Sequence, residues 1–558
     1  MSENLNSKPV HPYKKKFRIW ENLIQIAIIF GVYCLSQLYY YRIASLPQEA
    51  YFSNSIFFHL IKENLFIVPF YAVLLLISFC RYKAIGYEII DSDNTVKIKY
   101  FIFAVSLVVA YSFATYDYNL YFDNSHLVDR LILIGLSLSL LWSPLFLPIF
   151  VVFALAMMAQ FSWPLGNYSI TDKRMMFSIL ILFNSFLYTK LLFKRVSSIN
   201  FIFVALYLYS ISYFVPGFSK LESGWTVTNN LYNLVVSSYS NGWLEAIDER
   251  NLLNIVSIFQ FLNKPIQIGA VIVELVGIFF LAHRYAPYII LPSLVFFHVS
   301  IFALTGIFFW KVIILNICLL FLIASLKSSS KDHLFSKIYC FLFVVMTAIS
   351  PFSFDWLYSI LKSDSVISSK PIDLTWYDTK LNTFYELEAV GASGEVYRIS
   401  RNFMSPYDII FVQNRFQYLD DREISTLTYG AVGLNQENIH FEIERVSQYD
   451  AQESDVSILL DELESQYGTN FYSEEKSDIF SNFIKVYFSN LNKRQSKKML
   501  LSHIPTAHHI WTLPKGDDNV FKFQEVVESV RIKAVKVYFD GKEIHILEEV
   551  ILDRIEIE

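Results

Sequence analysis

The sequence predicts an all-α polytopic membrane bundle of about 10–11 transmembrane helices, followed by a C-terminal α+β soluble domain. The first observation is composition: of 558 residues, 54% are hydrophobic and only 17% are charged, and the mean hydropathy is +0.38. The second is a series of apolar runs as long as a helix that crosses a bilayer. The third is a change beyond Pro351, where apolar runs become short and charges frequent. We therefore predict a membrane domain at residues 1–357 and an extracytoplasmic domain at residues 358–558.

Ten apolar runs are candidate spans, since a helix needs about 20 residues to cross the hydrocarbon core. They are Trp20–Tyr40, Leu65–Phe79, Tyr100–Thr115, Leu131–Phe161, Met175–Leu192, Ile199–Val215, Ile266–Ala282, Tyr288–Leu304, Val312–Leu326 and Leu334–Ile349. The first is long and lacks a small-residue cleavage site, so we do not interpret it as a signal peptide. The fourth is too long for one span and contains Pro144 and Pro148, which favours a hairpin of two helices. This interpretation gives eleven crossings.

Basic residues in the connecting segments predict the orientation, because Lys and Arg are enriched in cytoplasmic loops. The basic clusters are Lys14–Arg18, Arg81–Lys99, Lys190–Arg195, His283–Arg284 and Lys327–Lys331. They share one side only if the Leu131–Phe161 run crosses twice. The N-terminus is then cytoplasmic. The opposite side receives the acidic segment Asp117–Asp129, the loop around Lys220 and everything after about residue 350.

The tail predicts one α+β domain, since about 200 residues suffice for an independent core. Short strands are expected at Tyr397–Ile399, Ile409–Val412 and Ile439–Glu442, and helices near Val456–Gln466 and Ser473–Asn492. A hairpin of Ala534–Phe539 and Glu543–Ile546 flanks the turn signal Asp540-Gly541, and Glu548–Ile557 is expected to add a further strand.

Several classes of site are not expected. The four cysteines all lie in apolar segments, which argues against a disulfide framework and a thiolate zinc site. His503, His508 and His509 match no standard ligand spacing, so we expect no metal. A net charge of −5 gives no indication of a nucleic-acid partner, and the expected partner is membrane lipid.

Three polar clusters interrupt the apolar part. The first is the polar-aromatic loop Tyr116–Leu127, and the second is the Gly217–Trp225 loop that carries Lys220. The third is His298, about mid-way along a span, and Glu274 lies in the preceding span. An unsatisfied polar group in hydrocarbon costs several kcal/mol. We therefore expect His298 and Glu274 to face the bundle and to have polar partners.

Together these clusters resemble the vitamin K-dependent γ-carboxylase family and its bacterial relatives with a horizontally transferred transmembrane (HTTM) domain. Asn124–Leu127 is similar to the family's Asn-Asn-His loop. Tyr213–Leu221, followed by Trp225, is similar to its Tyr-Phe-x-Ala-Gly-x-x-Lys-Leu…Trp signature. Phe297-His298 and the glycine-aromatic run after it complete the resemblance, which covers roughly residues 15–350.

The resemblance implies a membrane enzyme in which a lysine base deprotonates a quinol such as vitamin K hydroquinone. Oxygen then generates a strong base, a glutamate γ-proton is removed, and the carbanion captures carbon dioxide. The substrate would be an extracytoplasmic peptide or small molecule. The implied catalytic residues are Lys220 as the base, with His126 and Asn124 orienting it or the quinol. The implied substrate-binding residues are His298, Trp225 and Glu274.

Each candidate also has a structural interpretation. Lys220 can snorkel outward from a helix end, and Trp225 can be an interfacial anchor. His126 can cap a helix or bind headgroups, and His298 can be a core histidine that pairs with Glu274. The alternative function is correspondingly a non-catalytic membrane scaffold whose C-terminal domain binds a partner.

Overall fold

The computed structural model describes residues 12–65, 67–82, 86–90, 94–115, 120–123, 125–165, 171–193, 195–222, 224–227, 231–240, 242–360, 380–404, 407, 419, 444–445, 458, 462, 472–494, 511–512, 519–540 and 542–558. In these residues the N-terminal part is helical. Its α-helices are α1 (Pro12–Ala44), α2 (Gln48–Tyr51), α3 (Ile56–Glu63), α4 (Ile67–Tyr82), α5 (Thr95–Ala114), α6 (Leu127–Ser139), α7 (Leu147–Ser162), α8 (Thr171–Leu192), α9 (Ser198–Glu222), α10 (Leu231–Ser240), α11 (Glu249–Leu275), α12 (Ala286–Thr305), α13 (Trp310–Ser325), α14 (Ser328–Leu334) and α15 (Lys337–Ile360).

Seven helical stretches in the described part of the chain are long and apolar enough to cross a membrane. They are Trp20–Ala44, Thr95–Ala114, Pro144–Leu165, Met175–Leu192, Ser198–Leu221, Glu249–Phe279 and Ala286–Thr305. An eighth would be α13 taken together with α14, although the chain bends by 115° between them. The structure is thus compatible with a polytopic helical bundle.

Among the described residues, length and composition support fewer spans than the eleven that the sequence predicts. The helix α4 has 16 residues, and the apolar part of α15 ends at Pro351. The predicted hairpin is present as α6 and α7, and Ser143 and Pro144 begin the second arm. However, α6 has only 13 residues. At 1.5 Å per residue it extends about 20 Å, short of a hydrocarbon core of about 30 Å.

Hydrogen bonds between connecting segments join loops that the charge pattern predicts on the same side. One end of the bundle includes the start of α1 and the segment between α8 and α9. Here Gln25 Oε1 accepts hydrogen bonds from Ser197 N and Asn200 Nδ2, at 3.1 and 2.8 Å. Asn94 Nδ2 donates there to Ser198 Oγ at 3.1 Å. At the opposite end, the Asp129 carboxylate accepts a hydrogen bond from Ser55 Oγ at 2.7 Å. These hydrogen bonds therefore distinguish the two ends of the bundle.

In its described residues, the C-terminal part forms a four-stranded antiparallel sheet and one long helix. Its strands are β1 (Leu381–Gly391), β2 (Val396–Ile399), β3 (Val527–Phe539) and β4 (Ile544–Glu556), in the order β2-β1-β3-β4, and its helix is α16 (Glu474–Arg494). A row of apolar side chains on α16 packs against the sheet: Phe480, Phe483, Ile484, Tyr487, Phe488 and Leu491.

This domain shares its core with the bundle. Leu120, in the loop before α6, is buried in the same cluster as α16 and the sheet. The Tyr121 ring stacks on Phe483 with a centroid distance of 5.7 Å. Asn490 Nδ2 donates to the Leu120 carbonyl at 2.5 Å, and Arg494 Nη2 donates to Asp123 Oδ1 at 3.0 Å.

A second group of contacts lies over α10, α11 and α12. Phe539, at the end of β3, is buried in a cluster with Val235 and other apolar residues of α10 and α11. The Arg398 guanidinium donates two hydrogen bonds, each of 2.6 Å, to the Glu245 carboxylate. Trp511 N donates to the Gly306 carbonyl at 3.0 Å. The domain therefore contacts the end of the bundle opposite the one at which Gln25, Ser197 and Asn94 lie.

The sheet confirms part of the predicted tail. The strand Tyr397–Ile399, the helix Ser473–Asn492 and the hairpin around Asp540 are present as β2, α16 and β3–β4. Glu548–Ile557 is not a separate strand, because β4 continues through it, and β1 was not predicted. The predicted strands Ile409–Val412 and Ile439–Glu442 lie outside the described residues, as does all but two residues of Val456–Gln466.

Candidate functional site

The site is built where α9 crosses α11. Tyr213, Gly217 and Lys220 are spaced four and three residues apart, so they share one face of α9. A side chain at Gly217 would place its Cβ 2.8 Å from the Glu274 Cβ, closer than carbon atoms pack. Glycine therefore permits the close approach of the two helices, and this approach brings Lys220 beside Glu274.

Lys220 and Glu274 form an ion pair inside the protein. The distance from Lys220 Nζ to Glu274 Oε1 is 2.5 Å, and the side chains are only 12% and 7% exposed. The Trp225 ring lies over the ammonium, with its centroid 5.5 Å from Nζ, within the range of a cation–π interaction. Lys220 thus points into the protein, against the snorkelling interpretation, and Glu274 pairs with Lys220 and not with His298.

The second oxygen of Glu274 has a different environment. Oε2 is buried and has no hydrogen-bond partner in the part of the chain that the structure describes. A carboxylate without partners in an apolar interior is costly, and here Lys220 balances its charge through Oε1 alone. Oε2 is therefore free to accept a hydrogen bond, or a proton, from a bound hydroxyl group.

His298 joins the same face of α9 through Tyr213. The Tyr213 hydroxyl and His298 Nε2 are 2.9 Å apart, and the Tyr209 hydroxyl donates to Tyr213 at 3.1 Å. Tyr213 lies seven residues before Lys220, which corresponds to about 10 Å along the helix. The expectation that His298 and Glu274 face the bundle with polar partners is confirmed, since both are buried and hydrogen-bonded.

A polar stripe on α11 positions the neighbouring segments. Gln267 Nε2 donates to the Trp225 carbonyl at 3.4 Å, and Asn263 Oδ1 accepts from Leu231 N at 3.1 Å. Both side chains are buried on the face that also carries Glu274. Phe261, in contrast, is 85% exposed. Asn263, Gln267 and Glu274 therefore face the protein, whereas Phe261 faces its surroundings.

His126 belongs to a second cluster. It is fully buried and adopts a left-handed backbone conformation with φ of 43°. Gln160 Nε2 lies 3.0 Å from His126 Nε2 and also donates to the Tyr51 carbonyl. Because an amide NH₂ group can only donate, Nε2 of the ring accepts and Nδ1 carries the proton. Nδ1–H then donates to Asp129 Oδ2 at 3.2 Å.

Asp129 ties this second cluster to the start of α3. Besides His126 it accepts hydrogen bonds from Ser55 Oγ at 2.7 Å, Ile56 N at 2.8 Å and Phe57 N at 3.0 Å. Backbone N–H groups at a helix start are unpaired within the helix, so the carboxylate caps α3. His126 and Asp129 therefore link α6 to α3 and α7.

The structure brings together three of the predicted site residues, since Lys220 contacts both Glu274 and Trp225. His298 bonds to Tyr213, which lies on the same face of α9 about 10 Å along the helix from Lys220. His126 is built on other helices, with Asp129 and Gln160 as partners, and Asn124 lies outside the described residues. Sequence reasoning missed Asp129, Gln160 and the role of Tyr213. The spacing of three residues from His126 to Asp129 was a usable signal.

Comparison of this chain with protein-family models, with curated proteins and with solved structures gives no match. The resemblance to the γ-carboxylase family therefore stays a prediction.

Proposed function

We propose that this chain is a multi-pass membrane enzyme of the vitamin K-dependent carboxylase-like (HTTM) kind, and that its Lys220–Glu274 pair handles a proton of a lipid-soluble substrate such as a quinol. The observation that carries the proposal is the buried ion pair at the α9–α11 crossing. One oxygen of its carboxylate is held by Lys220, and the other has no partner among the residues described. Groups of this kind cluster at sites of proton transfer.

A membrane location is supported by the distribution of polar and apolar side chains. Large apolar residues are exposed along the helices, with Phe261 at 85%, Phe296 at 73% and Phe341 at 71%. Ionisable groups such as Arg130 and Glu274 are buried instead. Water would oppose this arrangement, whereas lipid acyl chains favour it. Membrane lipid is therefore the first partner that we propose.

The proposed orientation has the N-terminus in the cytoplasm and the C-terminal domain outside it. The sequence supports this, because basic residues recur in alternate connecting segments and Lys and Arg are enriched in cytoplasmic loops. A reporter enzyme that works only outside the cytoplasm should be active when it is fused after residue 360 and inactive when it is fused after Ser328. A reporter that works only in the cytoplasm should give the opposite pattern. Cytoplasmic activity after residue 360 would contradict the orientation.

The chemistry that we propose follows from the surroundings of the pair. Apolar helices admit a prenylated or other lipid-soluble ring, and exclusion of water strengthens the interaction between a substrate oxyanion and the Lys220 ammonium. The resemblance implies that oxygen and carbon dioxide are the co-substrates. The acceptor, a peptide glutamate or a small molecule, would approach from the side of the C-terminal domain.

The activity test uses the full-length protein in lipid nanodiscs. Vitamin K hydroquinone, a glutamate-containing peptide and isotopically labelled carbon dioxide are supplied, and quinol consumption and label incorporation are measured. We expect Lys220→Ala to abolish both. Lys264→Ala is the matched control, because Lys264 is exposed on α11 and lies outside the pair. Wild-type protein that consumes no quinol would refute the proposal.

The second candidate is the scaffold. It is favoured by the His126–Asp129 cluster, whose described hydrogen bonds all join structural elements. A scaffold predicts that Lys220→Ala leaves the physiological role intact as long as the C-terminal domain stays docked. Loss of that role in a folded Lys220→Ala variant would exclude this candidate.

A further inference from the structure

We propose that the ligand of this site is an aromatic ring with an oxygen at each of two opposite positions, and that Asn316 on α13 binds the oxygen remote from Lys220. The inference rests on the proposed function, because it names the substrate class of the same site. It leaves Lys220 as the base and adds a residue that selects the substrate.

Asn316 is a fully buried amide beside the Tyr213 hydroxyl. Neither its Oδ1 nor its Nδ2 has a hydrogen-bond partner in the part of the chain that the structure describes. A buried amide that forms no hydrogen bond is costly. A ligand oxygen that pairs with Asn316 removes this cost and gains affinity from it.

The neighbours of Asn316 use their hydroxyl protons among themselves. The Tyr209 hydroxyl donates to the Tyr213 hydroxyl at 3.1 Å, and the Tyr213 hydroxyl donates its own proton to His298 Nε2 at 2.9 Å. Since a hydroxyl has a single proton, Tyr213 then has none to give to a ligand. The Asn316 amide can both donate and accept. It therefore suits a ligand oxygen in either form, a hydroxyl or a carbonyl.

The separation of the two ends of the site fits one ring. Tyr213 and Lys220 share one face of α9, about 10 Å apart along the helix. Oxygens at opposite positions of an aromatic ring are about 5.5 Å apart, and a hydrogen bond of about 2.8 Å at each end extends this to about 11 Å. One such ring can therefore reach the Lys220–Glu274 pair with one oxygen and Asn316 with the other. A ring with a single oxygen reaches only one of them.

Aromatic side chains lie at both ends of the site. The centroid of the Trp225 ring is 5.5 Å from Lys220 Nζ, and the centroid of the Phe309 ring is 5.2 Å from that of His298. Aromatic rings attract one another at centroid distances of about 4.5–7 Å. These surroundings favour a flat aromatic ligand over an aliphatic one of the same length.

The test measures binding selectivity and needs no turnover. Full-length protein in nanodiscs is equilibrated, in the absence of oxygen, with a short-chain para-naphthoquinol or with the naphthol that has the same side chain and lacks the second oxygen. Retention of each compound gives its Kd. The variants are Asn316→Leu, which keeps the branching of the side chain, and Asn316→Ala, which adds no bulk. Thermal unfolding verifies that each variant is folded.

The matched control is Asn184→Leu. Asn184 is buried on α8, and neither of its amide atoms has a hydrogen-bond partner among the residues described. Its neighbour Phe183 contacts Phe201, which precedes Tyr213 on α9 by about 18 Å along the helix. The control therefore removes an equivalent buried amide away from the site.

We expect the wild type and Asn184→Leu to bind the quinol about tenfold more tightly than the naphthol, which is the effect of one hydrogen bond. Both Asn316 variants should bind the two compounds equally, with the affinity that the wild type has for the naphthol. The inference is overturned if the wild type binds both compounds equally, if a folded Asn316 variant keeps the preference, or if Asn184→Leu loses it; the proposed function survives these results. A wild type that retains neither compound overturns the proposed function and the inference with it.

Discussion

Replacing Gly217 by alanine should separate α9 from α11 and break the Lys220–Glu274 pair. The added methyl group would lie 2.8 Å from the Glu274 Cβ and 3.3 Å from two Leu275 side-chain carbons. Carbon atoms in contact prefer about 3.5–4.0 Å, so the helices must part by about 1 Å. The distance from Nζ to Oε1 would rise from 2.5 Å to about 3.5 Å, the limit of a hydrogen bond.

The energetic consequence has two opposing contributions. Overpacking costs about 1–3 kcal/mol, whereas alanine gains about 1 kcal/mol over glycine from helix propensity. The net change is a loss of up to about 2 kcal/mol. Gly269→Ala is the control, since a methyl group at that position of α11 meets nothing within 4 Å and keeps only the propensity gain. Thermal unfolding in detergent should place Gly217→Ala below the wild type and Gly269→Ala at or above it. Equal midpoints for the two variants would refute the packing argument.

Three further predictions concern the C-terminal domain. Arg398→Ala should weaken the docking of the domain on the bundle by about 1–2 kcal/mol, because two charge-assisted hydrogen bonds to the partly exposed Glu245 are lost. Amide hydrogen exchange in β2 should then rise. The charge swap Arg398→Glu/Glu245→Arg should restore protection from exchange. Tyr121→Leu keeps an apolar side chain but loses the ring stack on α16, worth about 0.5–1.5 kcal/mol, so protease cleavage of the domain should accelerate while the bundle stays intact. Hydrogen bonds from the Ser393 side chain, and then from Tyr397, lower the pKa of Glu525. The stabilisation by its carboxylate is therefore complete above the usual carboxyl range and is lost as pH falls through the lowered value. The protection factor of the Ser393 amide, which is the exchange rate relative to the intrinsic rate at the same pH, should fall with acid in the wild type and show no such dependence in Glu525→Gln.

Much of the fold could be predicted, because its signals are local. The apolar runs of α8 and α9, the amphipathic pattern of α16 and the turn at Asp540 each lie within one short segment. The helix α11 was predicted to start at Ile266, but it starts at Glu249, where Asp248 caps it. Its first turns bury Leu252 and Val256 on one side only, so a search for continuous apolar runs misses them.

The sheet shows a different limit. Ile546 pairs with Val537 while Glu548 pairs with Lys536, which leaves Leu547 unpaired in a β-bulge. The sequence alternation breaks at the same place, so one long strand was interpreted as two. β1 was missed because its interior includes glutamates, which pair with Arg531 and Lys533 of the neighbouring strand.

The site could be predicted only in part, because its central contact is not local. Lys220 and Glu274 are 54 positions apart, and the sequence around either residue does not indicate that the other is its partner. Because a buried charge needs a polar partner, each residue could be recognised as a candidate, but their pairing could not. The choice between His298 and Lys220 as the partner of Glu274 depended on the close helix crossing at Gly217, which only three-dimensional packing reveals.

The shared core has a consequence for the order of assembly during synthesis. Asn490 and Leu120 are separated by 370 positions, so the ribosome makes the bundle's contribution to this core long before it makes α16, β3 and β4. Until the last strands are made, Leu120 and Tyr121 lack the side chains that cover them in the folded protein, so a protease or chaperone can reach them. Synthesis of β4 is thus the event that completes both parts of the molecule. Chains terminated before Val527 should be removed by quality control, even though every helix of the bundle is already present.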